Sequence, residues 1–99
     1  MIRFVRIAKV EAGKAQEALA WAKEVAEHYR SSFGIPIQVF VEVFGENGTL
    51  CWMGDAEDIA TLERNGLQWP EKPGFQELAQ RGATLLVAGS MRDRLLRAS

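Results

Sequence analysis

Apolar and polar residues alternate with two different periods along this chain of 99 residues. Residues 2–10, 37–44 and 49–53 alternate at every second position or are rich in β-branched side chains, which is typical of β-strands. Residues 14–30 place apolar side chains at every third or fourth position, which predicts an amphipathic helix. The order βαββαβ is completed by a second helix with Asp55 as its N-cap and Asn65-Gly66 at its end, a short helix at 75–81 and a strand at 84–91.

Turn-forming residues separate these elements. Gly34 is the expected left-handed end of the first helix. Asn47-Gly48 favours a type I′ hairpin turn between the second and third strands. Two prolines indicate that residues 67–74 are irregular, and Gly82 is expected to end the short helix that follows.

Two βαβ-type halves with right-handed crossovers predict a single α+β domain over residues 1–99 with a ferredoxin-like antiparallel sheet. Strands one and three are central and the helices cover one face. A hairpin loop of two or four residues fixes which side chains share a face, whereas a three-residue loop with a bulge would move Trp52 to the open face. The predicted covered set is Ile37, Val39, Val41, Val43, Leu50 and Trp52, and the open set is Gln38, Phe40, Glu42, Phe44, Thr49, Cys51 and Met53.

The open face carries both a charge and a large apolar area. Arg6 is expected there, beside Glu42, because an unpaired charge beneath the helices would cost several kcal/mol. Phe40, Phe44 and Met53 make the same face too apolar to be left in water. We therefore expect two copies to pair face to face as a homodimer and to enclose a barrel-like cavity.

Residues 6–14 lead into a long first helix, residues 48–53 form a strand with a tryptophan, and residues 89–93 close the last strand. These segments resemble the dimeric α/β-barrel superfamily, in particular small proteins of the NIPSNAP and antibiotic-biosynthesis-monooxygenase type. The resemblance implies a ferredoxin-like fold and a homodimer. It leaves the activity open, because that fold hosts oxygenases, haem-degrading enzymes, decyclases and proteins without known activity.

The resemblance argues against haem degradation. Haem-degrading members of the superfamily use an asparagine, a tryptophan and a histidine in the cavity. Here the first strand has no asparagine, and His28 lies on the first helix rather than the second.

The composition excludes several classes of function. Twelve Lys and Arg against thirteen Asp and Glu give no basic excess for binding nucleic acid. One cysteine and one histidine exclude an intrachain disulfide and a structural zinc site. The sequence has no phosphate loop, catalytic triad or carboxylate cluster, so no cofactor or metal is expected. It also has no signal layout and no run of about 20 apolar residues, which predicts a cytoplasmic protein without a membrane partner.

Six side chains are candidates for contacting a ligand in the predicted cavity. Arg6 and Glu42 would orient a polar ligand or tune a proton transfer, although they also fit a structural ion pair across the interface. Trp69, in its proline-braced loop, is either a lid over the cavity or a hydrophobic plug. The cavity walls would be formed by Phe40, Phe44 and Met53.

Two single reactive residues are weaker candidates. His28 is the natural general base near neutral pH, but its position at the edge of the helical stripe favours a surface residue. Cys51 has no adjacent base and is expected to be buried and inert.

Three functions fit these observations. The first is a dimeric barrel protein that binds a small organic molecule in a partly apolar cavity. The second is a cofactor-independent monooxygenase for an aromatic or phenolic substrate, in which the substrate supplies the electrons and the protein supplies desolvation and orientation. The third is a protein-interaction module whose charged C-terminal tail, residues 92–99, docks onto another protein.

Overall fold

The computed structural model describes residues 1–44 and 48–99. Its elements are β1 (Ile2–Lys9), α1 (Ala15–Phe33), β2 (Ile37–Val41), β3 (Thr49–Ala56), α2 (Ile59–Gln68), a 3₁₀ turn (Trp69–Glu71), α3 (Phe75–Leu85) and β4 (Arg92–Arg97). The strands form one antiparallel sheet in the order β2-β3-β1-β4. The predicted ferredoxin-like fold, with the first and third strands central, is confirmed. None of these helices is long and apolar enough to cross a membrane.

The register of the β2–β3 hairpin places Trp52 on the covered face. Val39 is paired with Trp52, and Phe40 with Cys51. Directly paired residues of an antiparallel ladder point to the same side of the sheet. Trp52 Nε1 donates to the Ala22 carbonyl of α1 at 3.0 Å. The indole therefore lies beneath the helices. This is the face predicted for a hairpin loop of two or four residues, and not the face predicted for a three-residue loop with a bulge.

The two hairpin strands differ in length from the prediction. β2 ends at Val41 and is shorter than expected, whereas β3 continues to Ala56. The additional residues of β3 belong to the sheet because they pair with the beginning of β1. The type I′ turn predicted at Asn47-Gly48 stays a prediction, because Asn47 lies outside the described residues.

Asp55 is not the N-cap of α2, so that prediction is wrong. It lies in β3 opposite Arg3, whose Nε donates to Asp55 Oδ1 at 2.9 Å. The cap is Asp58, whose Oδ1 accepts a hydrogen bond from the backbone N–H of Thr61 at 2.8 Å. Both aspartates suit a cap by type, and the extra length of β3 decides between them.

The core lies between α1 and the covered face of the sheet. Ala18, Ala22 and Ala26 of α1 are buried against Leu50 and Trp52. Alanine adds only a methyl group to the helix surface, so this face of α1 can approach the strands closely. The alanine-rich stripe predicted from the sequence is therefore the surface that joins helix to sheet.

Gly82 does not end the last helix, contrary to the prediction. A Cβ atom at this position would overlap the ring of Trp21, so Gly82 is where α3 crosses close to α1. Trp21 in turn packs edge-to-face on Trp52, with 5.7 Å between ring centroids. α3 continues to Leu85, which is buried in the same core.

α2 likewise runs through Asn65-Gly66, which were predicted to end it, and stops at Gln68. Asn65 is buried and its Nδ2 donates to the Tyr29 hydroxyl at 3.2 Å. A side chain engaged with a neighbouring helix no longer competes for its own backbone, which removes the usual reason for Asn to end a helix. Residues 67–71, predicted to be irregular, are helical.

The prediction of a strand at 84–91 is also wrong, because the last strand is Arg92–Arg97. Residues 87–90 form a turn in which the Ser90 hydroxyl donates to the Val87 carbonyl at 2.7 Å, with Gly89 at φ +74°. β4 pairs with β1 at the edge of the sheet. Arginines are common on exposed edge strands, which they protect from further pairing. The charged tail is thus part of the sheet.

Candidate functional site

A cavity of about 640 Å³ lies between the sheet and the helices. It exists because α3 packs against α1 and the 3₁₀ turn, whereas α1 and α2 pack over β2 and β3. The helices approach β4 less closely than β2 and β3, while Ala8 of β1 is buried in the core with α1. The space that remains is lined by residues of β1, β2, β3, the three helices, the 3₁₀ turn and the 86–91 segment. The cavity is therefore formed within a single subunit.

Arg6 points into this cavity and not onto the open face. It is paired with Trp52 of β3 and with Asp93 of β4, so the three side chains share the covered face. Its Nε and Nη2 donate to the two carboxylate oxygens of Asp93 at 2.7 and 2.9 Å. The prediction that Arg6 lies beside Glu42 is wrong. Asp93 belongs to a segment that was predicted to be a charged tail outside the sheet. Its carboxylate offsets the cost of placing the Arg6 charge beneath the helices.

The other predicted ligand contacts divide between the two faces. Trp69 lines the cavity. Phe40 and Met53 lie on the open face by their register in β2 and β3. The Glu42 backbone continues the β2–β3 ladder onto that face, and Phe44 is 91% exposed beyond the end of β2. The pocket predicted between two copies of the open face is a different site from this cavity, and it remains a prediction.

Trp69 is held in place by His28. The Pro73 carbonyl can only accept, so the 2.6 Å contact with His28 Nε2 places the ring hydrogen on Nε2. Nδ1 is then an acceptor and receives the Trp69 indole N–H at 2.9 Å. Both ring nitrogens of the neutral imidazole are engaged, so His28 positions the cavity wall and has no free lone pair to act as a general base. Trp69 also packs on Tyr29, with 4.9 Å between ring centroids.

All three tryptophans of the chain line the cavity. Trp21 Nε1 donates to the Leu78 carbonyl at 2.9 Å, Trp52 Nε1 donates to Ala22, and the Trp69 indole donates to the histidine. With each N–H bonded to the protein, the rings offer only apolar surface to a ligand. The walls are therefore aromatic and held in fixed orientations.

Two polar residues of the cavity were not among the predicted site residues. Tyr29 was assigned to the apolar stripe of the first helix, but its hydroxyl group lies at the Asn65 amide. Ser90 was assigned to a strand, but it closes the turn before β4. The one signal for Tyr29 was its spacing of eight residues from Trp21, which places both rings on the same side of a helix.

Cys51 lies on the open face and does not line the cavity. Burial, and to a smaller extent the charge of Glu42, raise the pKa of its thiol above the ordinary value of 9.0. The thiol is therefore protonated at neutral pH and is a weak nucleophile. Across residues 1–44 and 48–99, no three His, Cys, Asp or Glu side chains are grouped so that they could hold a metal ion.

Solved structures share this fold along nearly the whole chain. An uncharacterised NIPSNAP domain protein from Burkholderia xenovorans has a TM-score of 0.85 at 14% identity, covering 100% of this chain and 95% of that one. A NIPSNAP family protein from Agrobacterium tumefaciens has a TM-score of 0.85 at 21% identity, with 99% and 92% covered. SnoaB, a cofactor-independent oxygenase from Streptomyces nogalater, has a TM-score of 0.71 at 17% identity, with 98% and 91% covered.

Neither a protein-family model nor a curated protein matches the sequence. At these low identities the structural likeness shows the fold alone. It confirms the resemblance inferred from residues 6–14, 48–53 and 89–93. The chain has the ferredoxin-like fold of NIPSNAP and antibiotic-biosynthesis-monooxygenase proteins.

Proposed function

We propose that this protein binds a small, mainly apolar organic molecule in the cavity between the sheet and the helices. The observation that carries the proposal is a space of about 640 Å³ with aromatic and aliphatic walls and Arg6 as its charged lining residue. Small-molecule sites of proteins are typically concave, mostly apolar and supplied with a few placed polar groups. The size and lining of this cavity fit that description.

Two residues suit a test by filling the cavity. Ala83 of α3 lines the cavity and is exposed to it, so a larger side chain there has room to enter the space. Ala20 of α1 is also exposed but does not line the cavity, which makes it a matched control. The variants Ala83→Phe and Ala20→Phe add the same side chain to helices of the same protein.

The experiment is a titration with anthracene, a neutral aromatic hydrocarbon that accepts energy from tryptophan. Because all three tryptophans line the cavity, binding quenches their emission. We expect saturable binding to the wild type and to Ala20→Phe, and a loss of at least about tenfold in affinity for Ala83→Phe, which is about 1.4 kcal/mol. Equal affinity for all three proteins would contradict the proposal.

A cofactor-independent oxygenase is the second candidate function. The observation that favours it is the fold shared with SnoaB, together with an aromatic cavity able to desolvate and orient a substrate. Its test is oxygen consumption with a hydroquinone-type aromatic substrate. Arg6→Met should lower the rate if the reaction takes place in this cavity. A rate that is the same with and without the protein would exclude this function for that substrate.

We also propose that the open face packs against a second copy of the chain. Ile7, Phe40 and Met53 lie on that face without cover from the helices, and Phe40 is 43% exposed. The face also has a charge pattern, because Glu42 lies at its β2 edge and Arg92 at its β4 edge. A two-fold axis parallel to the strands brings each acidic edge onto the basic edge of the other copy.

Sedimentation velocity tests this pairing. The wild type should sediment as a dimer at micromolar concentration, and Phe40→Asp should sediment as a folded monomer, because it replaces an apolar side chain of the face with a charge. Val87→Asp, at an exposed position away from that face, is the control and should remain a dimer. A wild type that is a monomer would overturn the pairing without affecting the cavity.

A further inference from the structure

We propose that the ligand of this cavity is an aromatic carbonyl compound, one that presents hydrogen-bond acceptors and no donors. The inference rests on the proposed function, because it names the chemical class that the same cavity would select. It follows from a count of which polar groups in the cavity walls are already bonded and which are free.

Most polar groups of the walls are engaged within the protein. The three indole N–H groups all donate to protein acceptors, and both nitrogens of His28 are occupied. The Ser90 hydroxyl donates to Val87 and accepts from the backbone N–H of Lys9 at 3.1 Å. In the turn before β4, the carbonyls of Gly89 and Met91 both accept from the guanidinium of Arg92 at 2.8 Å. None of these groups is free to recognise a ligand.

The first free group is Nη1 of Arg6. The Asp93 carboxylate occupies Nε and Nη2, while Nη1 meets no acceptor in residues 1–44 and 48–99. Asp93 also compensates the positive charge, so a neutral acceptor fits this position without adding a second negative charge. The two N–H bonds of Nη1 are therefore donors that suit a carbonyl oxygen.

The second free group is the hydroxyl hydrogen of Tyr29. Asn65 Nδ2 donates to the Tyr29 oxygen, so the O–H bond must point elsewhere, and it meets no acceptor within the described part of the chain. Asn65 is 6% exposed, which fixes the amide that orients the hydroxyl. Tyr29 is thus a second donor in the cavity wall.

Both groups offer free donors, whereas the oxygens of Tyr29 and Ser90 each already accept a hydrogen bond, and this asymmetry sets the specificity. A ligand carbonyl would pair with donors that have no protein partner among the described residues. A ligand N–H or O–H would lose its water without gaining a side-chain acceptor, which is the more costly mismatch. The cavity therefore favours an aromatic ketone over a hydrocarbon of the same shape and disfavours a donor-only heterocycle.

Three tricyclic probes of nearly equal size test this order by equilibrium dialysis. Fluorene has no polar group, 9-fluorenone has one acceptor and carbazole has one donor. The variants are Arg6→Met and Tyr29→Phe, with Tyr29→Phe/Asn65→Leu as a second form that leaves no unpaired amide. Arg3→Met is the control, because Arg3 makes the same kind of ion pair from the same strand on the opposite face. Circular dichroism reports whether each variant is folded.

The measured quantity is the ratio of the fluorene Kd to the fluorenone Kd, which removes the intrinsic hydrophobicity of the probes. We expect this ratio to fall about tenfold in Arg6→Met and about threefold in both Tyr29 variants, and to stay unchanged in Arg3→Met. The ratio of the fluorene Kd to the carbazole Kd should not fall in any variant. Binding of all three probes with ratios that no variant changes would overturn this inference and leave the proposed function standing. Binding of none of them would overturn the proposed function itself.

Discussion

Arg3 and Arg6 are two arginines of one strand in opposite environments. Each donates through two nitrogens to an aspartate on a neighbouring strand, Arg3 to Asp55 of β3 and Arg6 to Asp93 of β4. Strand alternation places Arg3 on the open face and Arg6 beneath the helices. The same ion pair is therefore a surface feature on one side of the sheet and the polar group of a cavity on the other. Position in the register, and not residue type, makes Arg6 a candidate for function.

The apolar residues of the two faces differ in the same way. Trp52 is buried beneath α1, while its neighbour in sequence, Met53, lies on the open face. The covered face depends on close packing, whereas the open face has apolar area that no helix covers. Substitutions at adjacent or equivalent residues of the two faces should therefore have different effects.

The largest difference is expected between Trp52→Ala and Met53→Ala. Removing the buried indole should lower the free energy of unfolding by about 3–5 kcal/mol, because a cavity remains in the core. Met53→Ala should lower it by less than about 1 kcal/mol in the monomer, since its side chain is only partly buried. Urea unfolding of both variants in the Phe40→Asp background, which is expected to be monomeric, checks this contrast. Equal losses would mean that the two faces are equally packed.

Two helical glycines should respond in opposite directions. A methyl group at Gly82 meets the Trp21 ring, so Gly82→Ala should destabilise the fold by about 1–3 kcal/mol. At Gly66 a Cβ atom meets nothing within 4 Å, so Gly66→Ala should stabilise it by about 0.4–1 kcal/mol through helix propensity. Thermal unfolding of both variants measures the two effects. A higher Tm for Gly82→Ala would show that α3 does not cross α1 at Trp21.

A smaller effect separates the two ion pairs. Asp93→Asn leaves the Arg6 charge uncompensated at the cavity, so the affinity for an aromatic carboxylate such as 2-naphthoate should rise about fivefold at low salt. Asp55→Asn removes the equivalent partner of Arg3 and should leave that affinity unchanged. Equilibrium dialysis at two salt concentrations measures both. A rise in Asp55→Asn as well would indicate binding on the open face.

The smallest effect is the response of stability to acid. Hydrogen-bond donors lower the pKa values of four carboxyl groups below the ordinary 3.8 for Asp and 4.5 for Glu. A carboxyl with a lower pKa in the folded state stabilises the fold above its unfolded value and loses that contribution as the pH falls through the folded value. The groups are Asp55, Asp58, Glu24 and Glu27.

We therefore expect a Tm that is nearly constant between pH 7 and about 5 and declines below that range. The decline should be shallower in Asp55→Asn, because one of the four groups has been removed. Differential scanning calorimetry across this range measures the effect. An unchanged acid slope in Asp55→Asn would show that the Arg3 pair contributes nothing to the pH dependence.

Hydrophobic periodicity was sufficient to predict the architecture. The order of elements, the central strands and the face of Trp52 all follow from local alternation and from the parity of one hairpin. The ends of the last elements did not follow from it, because they depend on tertiary contacts. Gly82 is helical since Trp21 packs on it, and Asn65 stays helical since Tyr29 accepts its amide hydrogen.

The site was harder to predict than the fold for the same reason. Arg6 was placed on the wrong face because its partner, Asp93, belonged to a segment read as a tail. A single sequence gives the charges of Arg6 and Asp93, but it does not show the strand register that pairs these two residues, which are 87 positions apart. Of the six predicted ligand contacts, only Arg6 and Trp69 line the cavity, and Trp69 does so because its loop folds back onto His28.

The central claim is that a ligand enters the space between the sheet and the helices of one subunit. Methyl spectra of protein labelled at the methionine methyl groups test it directly, since Met91 lines the cavity, Met53 lies on the open face and Met1 lines neither. On titration with fluorenone, ring currents should shift the Met91 signal and leave the Met53 and Met1 signals in place. A shift of Met53 with an unchanged Met91 would place the ligand on the open face and contradict the account.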